Sequence, residues 1–178
     1  MEFTTDMAQP QAIIDLFRAT FTASEGAEEG AVIGDFVTAL LSTTPAEDIF
    51  VFSALEEGTV HACAIFTRLR FAEDARRAFI LSPMAVATAQ QGRGLGQKLL
   101  RHAFEQLRGA GVDVALTYGD INFYGRVGYQ QIDEAMAQAP LPLSYPEGWL
   151  AQSLTDAELT PLQGAATCVP ALNDPALW

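Results

Sequence analysis

The residues best suited to chemistry lie in one short glycine-rich segment, Gln91-Gly92-Arg93-Gly94-Leu95-Gly96-Gln97. An apolar stretch over 78–86 precedes it. A helical pattern follows, with Leu99, Leu100, Ala103, Phe104 and Leu107 on one face. A helix that opens in this segment directs several unpaired backbone N–H groups, and the positive end of its dipole, into one space. That space is an anion cradle. Glycines let a pyrophosphate approach the backbone, and Arg93 adds a formal positive charge. A turn that merely connects a strand to a helix would use the same glycines, so this segment does not decide the matter alone. Two other nucleotide patterns are absent: no Gly-Lys-Ser/Thr follows, and the third glycine of G-x-G-x-x-G would fall on Gln97. Asp120 ends the next strand as a ribose-binding acid would, but a dinucleotide fold would need more than the one βαβ unit found here.

The surrounding elements must position this cradle. Ile13, Ile14, Phe17 and Phe21 predict a helix over 11–21, after Pro10; Val32, Ile33, Phe36, Val37 and Leu40 predict a second over 32–41. The segments 48–55 and 59–71 are apolar, β-branched or aromatic, and Glu56-Glu57-Gly58 between them signals a hairpin. The strand over 78–86 contains Pro83, which has no N–H for a ladder and predicts a bulge or an interrupted edge. The helix after the cradle should end at Gly109 and Gly111, followed by a strand over 112–118, a turn or short helix over 120–126 and a strand over 129–132. Beyond Glu134, Pro140, Pro142, Pro146, Pro161, Pro170 and Pro175 break the chain into short apolar pieces, so a strand plus packed loops is expected. The sequence predicts a domain over 1–135 with a C-terminal extension, 136–178, packed on it.

Composition narrows the function. The chain has 178 residues, 49% of them hydrophobic and 18% charged, which favours a packed interior over disorder. A net charge of −12 and a pI of about 4.4 disfavour nucleic acid as a partner. The stretch over 66–128 nevertheless holds nine of the ten Lys and Arg against five carboxylates, so the cradle sits in the anion-tolerant middle. No run approaches the roughly 20 apolar residues of a membrane helix, and a soluble, cytoplasmic protein is expected. Cys63 and Cys168 make neither a metal spacing nor a disulfide framework, and a metal-free site is expected.

Gln91-x-x-Gly94-x-Gly96, five residues after a strand ending Pro83-Met84-Ala85-Val86, resembles the acetyl-CoA signature of the GCN5-related N-acetyltransferases, the GNAT family. The segment Asn122-Phe123-Tyr124-Gly125-Arg126-Val127-Gly128-Tyr129 resembles their later F-Y-x-x-x-G-F/Y motif. The two occur in the family's order, and the likeness runs over about 48–132. Its wording is similar to the bacterial predicted-acetyltransferase branch. The resemblance implies a mixed α/β fold whose twisted sheet splays open beside Pro83, with pantetheine between the strands over 78–86 and 112–118. It also implies that backbone groups of Met84, Ala85 and Val86 bond the pantetheine arm, while amides from Gly92 to Gln97 hold the pyrophosphate. Many family members have Asn seven residues before the tyrosine and Ala four before it. Here those positions are Thr117 and Asp120.

The function so implied is transfer of an acetyl group from acetyl-CoA to a small-molecule or peptide amine by direct attack. A non-catalytic CoA-binding sensor is the alternative, and a homodimer stays open. Tyr124 is the candidate acid for the leaving thiolate, because a phenol with a reference pKa of about 10 stays protonated at neutral pH; the other reading is that it only packs against the cofactor. Asp120 is the leading base, with Ser82, Glu73 and Asp74 as candidates acting through water. His61 is expected to be a satisfied core histidine and His102 a solvated one. A surplus of carboxylates outside the cradle region favours a cationic acceptor.

Overall fold

Proline at the first helical turn leaves no donor unpaired, and Pro10 opens α1 (Pro10–Glu25). Gly26, at φ 104°, separates it from α2 (Ala27–Thr43), whose first turn carries Glu28 and Glu29 toward the positive end of the dipole. Both helices outrun the periodic cores that predict them. Their close approach is set by two glycines: a Cβ at Gly30 would collide with Thr22 and the Arg18 carbonyl, and one at Gly34 with the Arg18 side chain. This glycine stripe lies with Phe36, Val37 and Leu40 on the buried face and leaves Val32 exposed, contrary to the apolar pattern, which makes Val32 a core position.

All residues except Asp6 and Ala8 are described in the computed structural model, and the chain forms two compact units. The first comprises Met1–Ile65 and Pro83–Ala103, the second Phe66–Ser82 and Phe104–Trp178. The architecture is mixed α/β with a mostly antiparallel sheet. In the first unit β1 (Glu2–Thr4) pairs antiparallel with β2 (Ile49–Glu56), and β2 is followed through the turn at Glu57 and Gly58 by β3 (Thr59–Phe71). β3 and β4 (Ala78–Val86) each run through both units.

In the second unit β4 pairs parallel with β5 (Val114–Tyr118), β5 antiparallel with β7 (Trp149–Ser153), and β7 with the short edge β6 (Gln130–Gln131). A parallel pair needs a crossover, which α3 (Leu95–Gly109) supplies. Leu99, Leu100, Ala103, Phe104 and Leu107 are all buried, as their spacing predicts. Of the two outcomes Pro83 predicts, the bulge is absent, since β4 is continuous from Ala78 to Val86, and the interrupted edge is found. The register with β5 covers only Ala78↔Val114 to Leu81↔Thr117. Pro83 lies beyond that ladder, so its missing N–H removes no bond from it.

The tail is a structural part of the second unit. β7 contributes Trp149, which is 0% exposed and donates through Nε1 to the Ala137 carbonyl. Trp178 packs its ring against Trp149 and Tyr118, and its Nε1 donates to the Leu172 carbonyl. Arg76 ties the loop before β4 to the tail through the Thr160 and Pro161 carbonyls, with Asp74 holding its guanidinium. β8 (Ala166–Thr167) then pairs with the end of β3. Trp149→Ala should lower unfolding free energy by about 3–5 kcal/mol, measured by urea titration, because a large void replaces a fully buried ring. A loss under about 1 kcal/mol would mean that the tail contributes little to the core.

Candidate active site

The cradle belongs to the first unit. After β4 the chain makes a short 3-10 turn, Thr88–Gln90, and then a tight turn through 91–94 that opens α3. The Lys98 amide donates to the Gly94 carbonyl at 3.1 Å. In an α-helix the amides before that first bond, here those of Leu95, Gly96 and Gln97, have no intrahelical acceptor. Gly92 and Gly94 sit at φ 72° and 75°, in the left-handed region that L side chains rarely adopt. A Cβ at either would meet nothing within 4 Å. Glycine is thus demanded by backbone conformation, and the space above the turn is open to a ligand. Arg93 and Lys98 are exposed beside it.

Gln91 fastens the end of β4 to the cradle turn, because its Nε2 donates to the Val86 carbonyl at 3.0 Å. The Ala87 amide likewise donates to the His61 carbonyl at 2.8 Å. Along this part of β4, Pro83 and Ala85 are buried while Met84 and Val86 are half-buried, the alternation of a strand.

Tyr124 and Asp120 belong to the second unit. Asp120 is the N-cap of α4 (Ile121–Tyr124): its Oδ1 accepts from the Asn122 amide at 2.8 Å and from Asn122 Nδ2 at 3.0 Å. The sequence reading missed this capping role, although Asp before a short apolar turn is its usual signal. The carboxylate is exposed, and Oδ2 is the oxygen not committed to the cap. Tyr124 ends α4 half-buried, with its ring edge-on to Tyr129 at 5.6 Å and to Phe123 at 5.0 Å. Burial pushes its phenol above the ordinary tyrosine range, while the nearby Thr117 hydroxyl opposes the rise. The phenol therefore holds its proton at neutral pH.

Of the other candidates, Asp74 is committed: Arg76 holds its carboxyl far below the ordinary carboxylate range through a two-point contact at 3.0 and 2.7 Å. His61 is half-buried in β3. His102 corrects the sequence expectation, because it is half-buried and stacked on Phe3 at 5.3 Å with Phe52 edge-on at 6.3 Å. β1 brings Phe3 to it, a contact no local pattern could signal. Burial raises the Cys63 thiol to about 12, which leaves no thiolate for nucleophilic catalysis. Among the described residues no group of His, Cys, Asp and Glu could hold a metal, and no helix is long and apolar enough to cross a membrane.

Beside α4 a cleft of about 510 Å³ is lined by Tyr118, Asp120, Asn122, Tyr145 and Glu147 among others. A larger groove of about 910 Å³ runs along β6 and β7 and contains none of the candidate residues.

A glycine turn opens the helix that connects β4 to β5, and Tyr124 follows β5 on a short helix of its own. The chain belongs to the acetyltransferase (GNAT) family, whose model matches residues 11–129. It is 32% identical over 139 residues to the uncharacterized N-acetyltransferase YjhQ of Escherichia coli (strain K12), covering 75% of this chain and 76% of the relative. The fold matches a GNAT family acetyltransferase from Brucella melitensis, solved with acetyl-CoA, at TM-score 0.73 and 23% identity over 97% of each chain. It also matches the GNAT family N-acetyltransferase YhbS of Escherichia coli, solved with CoA, at TM-score 0.75 and 18% identity. That match covers 97% of this chain and 92% of YhbS.

Proposed function

We propose that this N-acetyltransferase binds acetyl-CoA at the turn 91–97 and transfers the acetyl group to a cationic amine, with Tyr124 as proton donor and Asp120 as base. The observation that carries the reading is the pair of left-handed glycines at Gly92 and Gly94, with open space where side chains would be, directly before the unpaired amides of α3. The family's structures solved with acetyl-CoA and CoA support the same ligand here.

When bound, acetyl-CoA supplies an acetyl group activated as a thioester. The amides of Leu95, Gly96 and Gln97, with Arg93, hold the pyrophosphate, and Gln91 fixes the end of β4 on which Met84, Ala85 and Val86 present their backbone to the pantetheine arm. Tyr124 gives its phenolic proton to the departing sulfur. Asp120 takes the proton that the amine must lose to become a nucleophile, through the oxygen not used in the cap. The acceptor enters the cleft of about 510 Å³, where Glu147 and Asp120 favour a positive charge beside Tyr118 and Tyr145.

An amine screen with acetyl-CoA, read by free thiol release and confirmed by product mass, tests the activity. Transfer to at least one cationic amine is expected; CoA binding without turnover on any amine would mark a sensor. Calorimetry should show CoA binding tighter than NAD or ATP, since the third dinucleotide glycine and the Walker lysine are missing. Asp120→Asn keeps the cap and removes the base, so kcat/KM should fall on the order of 100-fold with an unchanged denaturation midpoint. Equal activity in Asp120→Asn would reduce Asp120 to a cap.

A further inference from the structure

Gly119 has no positive φ, so its backbone does not require glycine. Space does: a Cβ there would lie 2.7 Å from Tyr124 Cε2 and 3.3 Å from Cδ2. The Tyr124 ring also makes an edge-to-face contact with Tyr129, whose own hydroxyl donates to the Leu116 carbonyl at 3.4 Å. The phenol end reaches Thr117, which is 1% exposed and donates from Oγ1 to the Leu81 carbonyl at 3.0 Å. Leu81↔Thr117 is the last register pair of the β4–β5 ladder. The Thr117 hydroxyl therefore sits where the parallel ladder ends, bonded to the Leu81 carbonyl of β4 and lying near the Tyr124 phenol.

We propose that Thr117 and Gly119 are positioning residues that seat the Tyr124 phenol: Gly119 by omitting the side chain that would push the ring away, Thr117 by fixing the hydroxyl to the end of the ladder. The proposal rests on Tyr124 being the proton donor. A hydroxyl carries one hydrogen and two acceptor positions. With its hydrogen on the Leu81 carbonyl, Thr117 accepts from the phenol and holds it in place. When the phenol passes its proton to sulfur, Thr117 turns its hydrogen to the phenolate oxygen left behind, until solvent reprotonates it. Valine has nearly the shape of threonine and can do neither.

The test is a double-mutant cycle on single-turnover acetyl transfer from acetyl-CoA to the fastest amine of the screen. Thr117→Val and Gly119→Ala should each lower the transfer rate about tenfold with little change in KM for acetyl-CoA, and Thr117→Ser should stay within about twofold of the parent. In a Tyr124→Phe background, Thr117→Val and Gly119→Ala should cost less than about twofold, because the proton they position is gone. Equal losses in both backgrounds would show a general structural effect and overturn the seat while leaving the acid intact. A Tyr124→Phe enzyme at the parent rate would instead overturn the acid, and the seat with it.

Phenol absorbance supplies a readout independent of turnover, taken as the difference between each enzyme and its Tyr124→Phe counterpart. Tyr129 is the titratable ring facing Tyr124, and Asp120, one helical turn earlier, accepts the Tyr124 amide through its backbone carbonyl. Thr117→Val should move the Tyr124 titration to higher pH and Thr117→Ser should not; identical titrations in all three enzymes would overturn the proposal. If Thr117→Val does not fold, Thr117→Ser and Gly119→Ala carry the same comparison.

Discussion

Replacing Tyr124 with phenylalanine lowers acetyl transfer on the order of 100- to 10,000-fold, about 3 to 5 kcal/mol at 1.36 kcal/mol per factor of ten, while CoA affinity changes little. The ring and its edge contacts with Tyr129 and Phe123 survive the substitution, so only the donor is lost. Burial raises the phenol above its ordinary value, so the proton-loaded form dominates through neutral pH and the acid is lost only as pH rises through that higher value. Activity should therefore show no alkaline limb from Tyr124 below about pH 10. The rate must be taken in single turnover, because slow product release can hide a slower chemical step. A drop of less than about threefold would return Tyr124 to a packing role.

A second large effect is expected at Gly94, where conformation and charge can be separated. Asn and Asp tolerate the left-handed region better than other L residues and are nearly equal in size. Gly94→Asn should weaken CoA binding modestly, since a side chain there meets open space in the free protein. Gly94→Asp adds a negative charge to the cradle. Two like charges about 4 Å apart at an effective dielectric of about 20 repel by about 4 kcal/mol, enough for a loss on the order of 100-fold or more in Kd. Calorimetry with CoA measures both variants, with circular dichroism to show that they are folded. Equal affinities for the Asn and Asp variants would move the pyrophosphate away from Gly94.

Much of this protein is legible in its sequence because it is local. The 3.6-residue period gives α3 and its buried face, glycines mark the turn before it and the stop after it, and the Glu57-Gly58 turn gives the β2–β3 hairpin. The order of Gln91-x-x-Gly94-x-Gly96 and Phe123-Tyr124-x-x-x-Gly128-Tyr129 was sufficient for the family. Such signals depend on residues a few positions apart, whose backbone preferences hold in nearly any context.

Tertiary structure decided what depends on distant partners. Pro83 predicts a bulge or an interrupted edge by its chemistry; only the fold shows that β4 runs on without a bulge while its ladder to β5 stops at Leu81. His102 looks solvated on the helical wheel and is stacked by Phe3, almost 100 positions earlier. Thr117 is a departure from the family's wording in sequence; in the fold its hydroxyl donates to the ladder's last carbonyl, near the phenol of Tyr124. Gly119 looks like one more loop glycine until the Tyr124 ring is placed against it. Trp178 closes over Trp149 and Tyr118 from the far end of the chain. Each of these depends on distant parts of the chain brought together by burial of apolar surface. That driving force is non-directional and acts between residues regardless of separation, so no short window of sequence contains it.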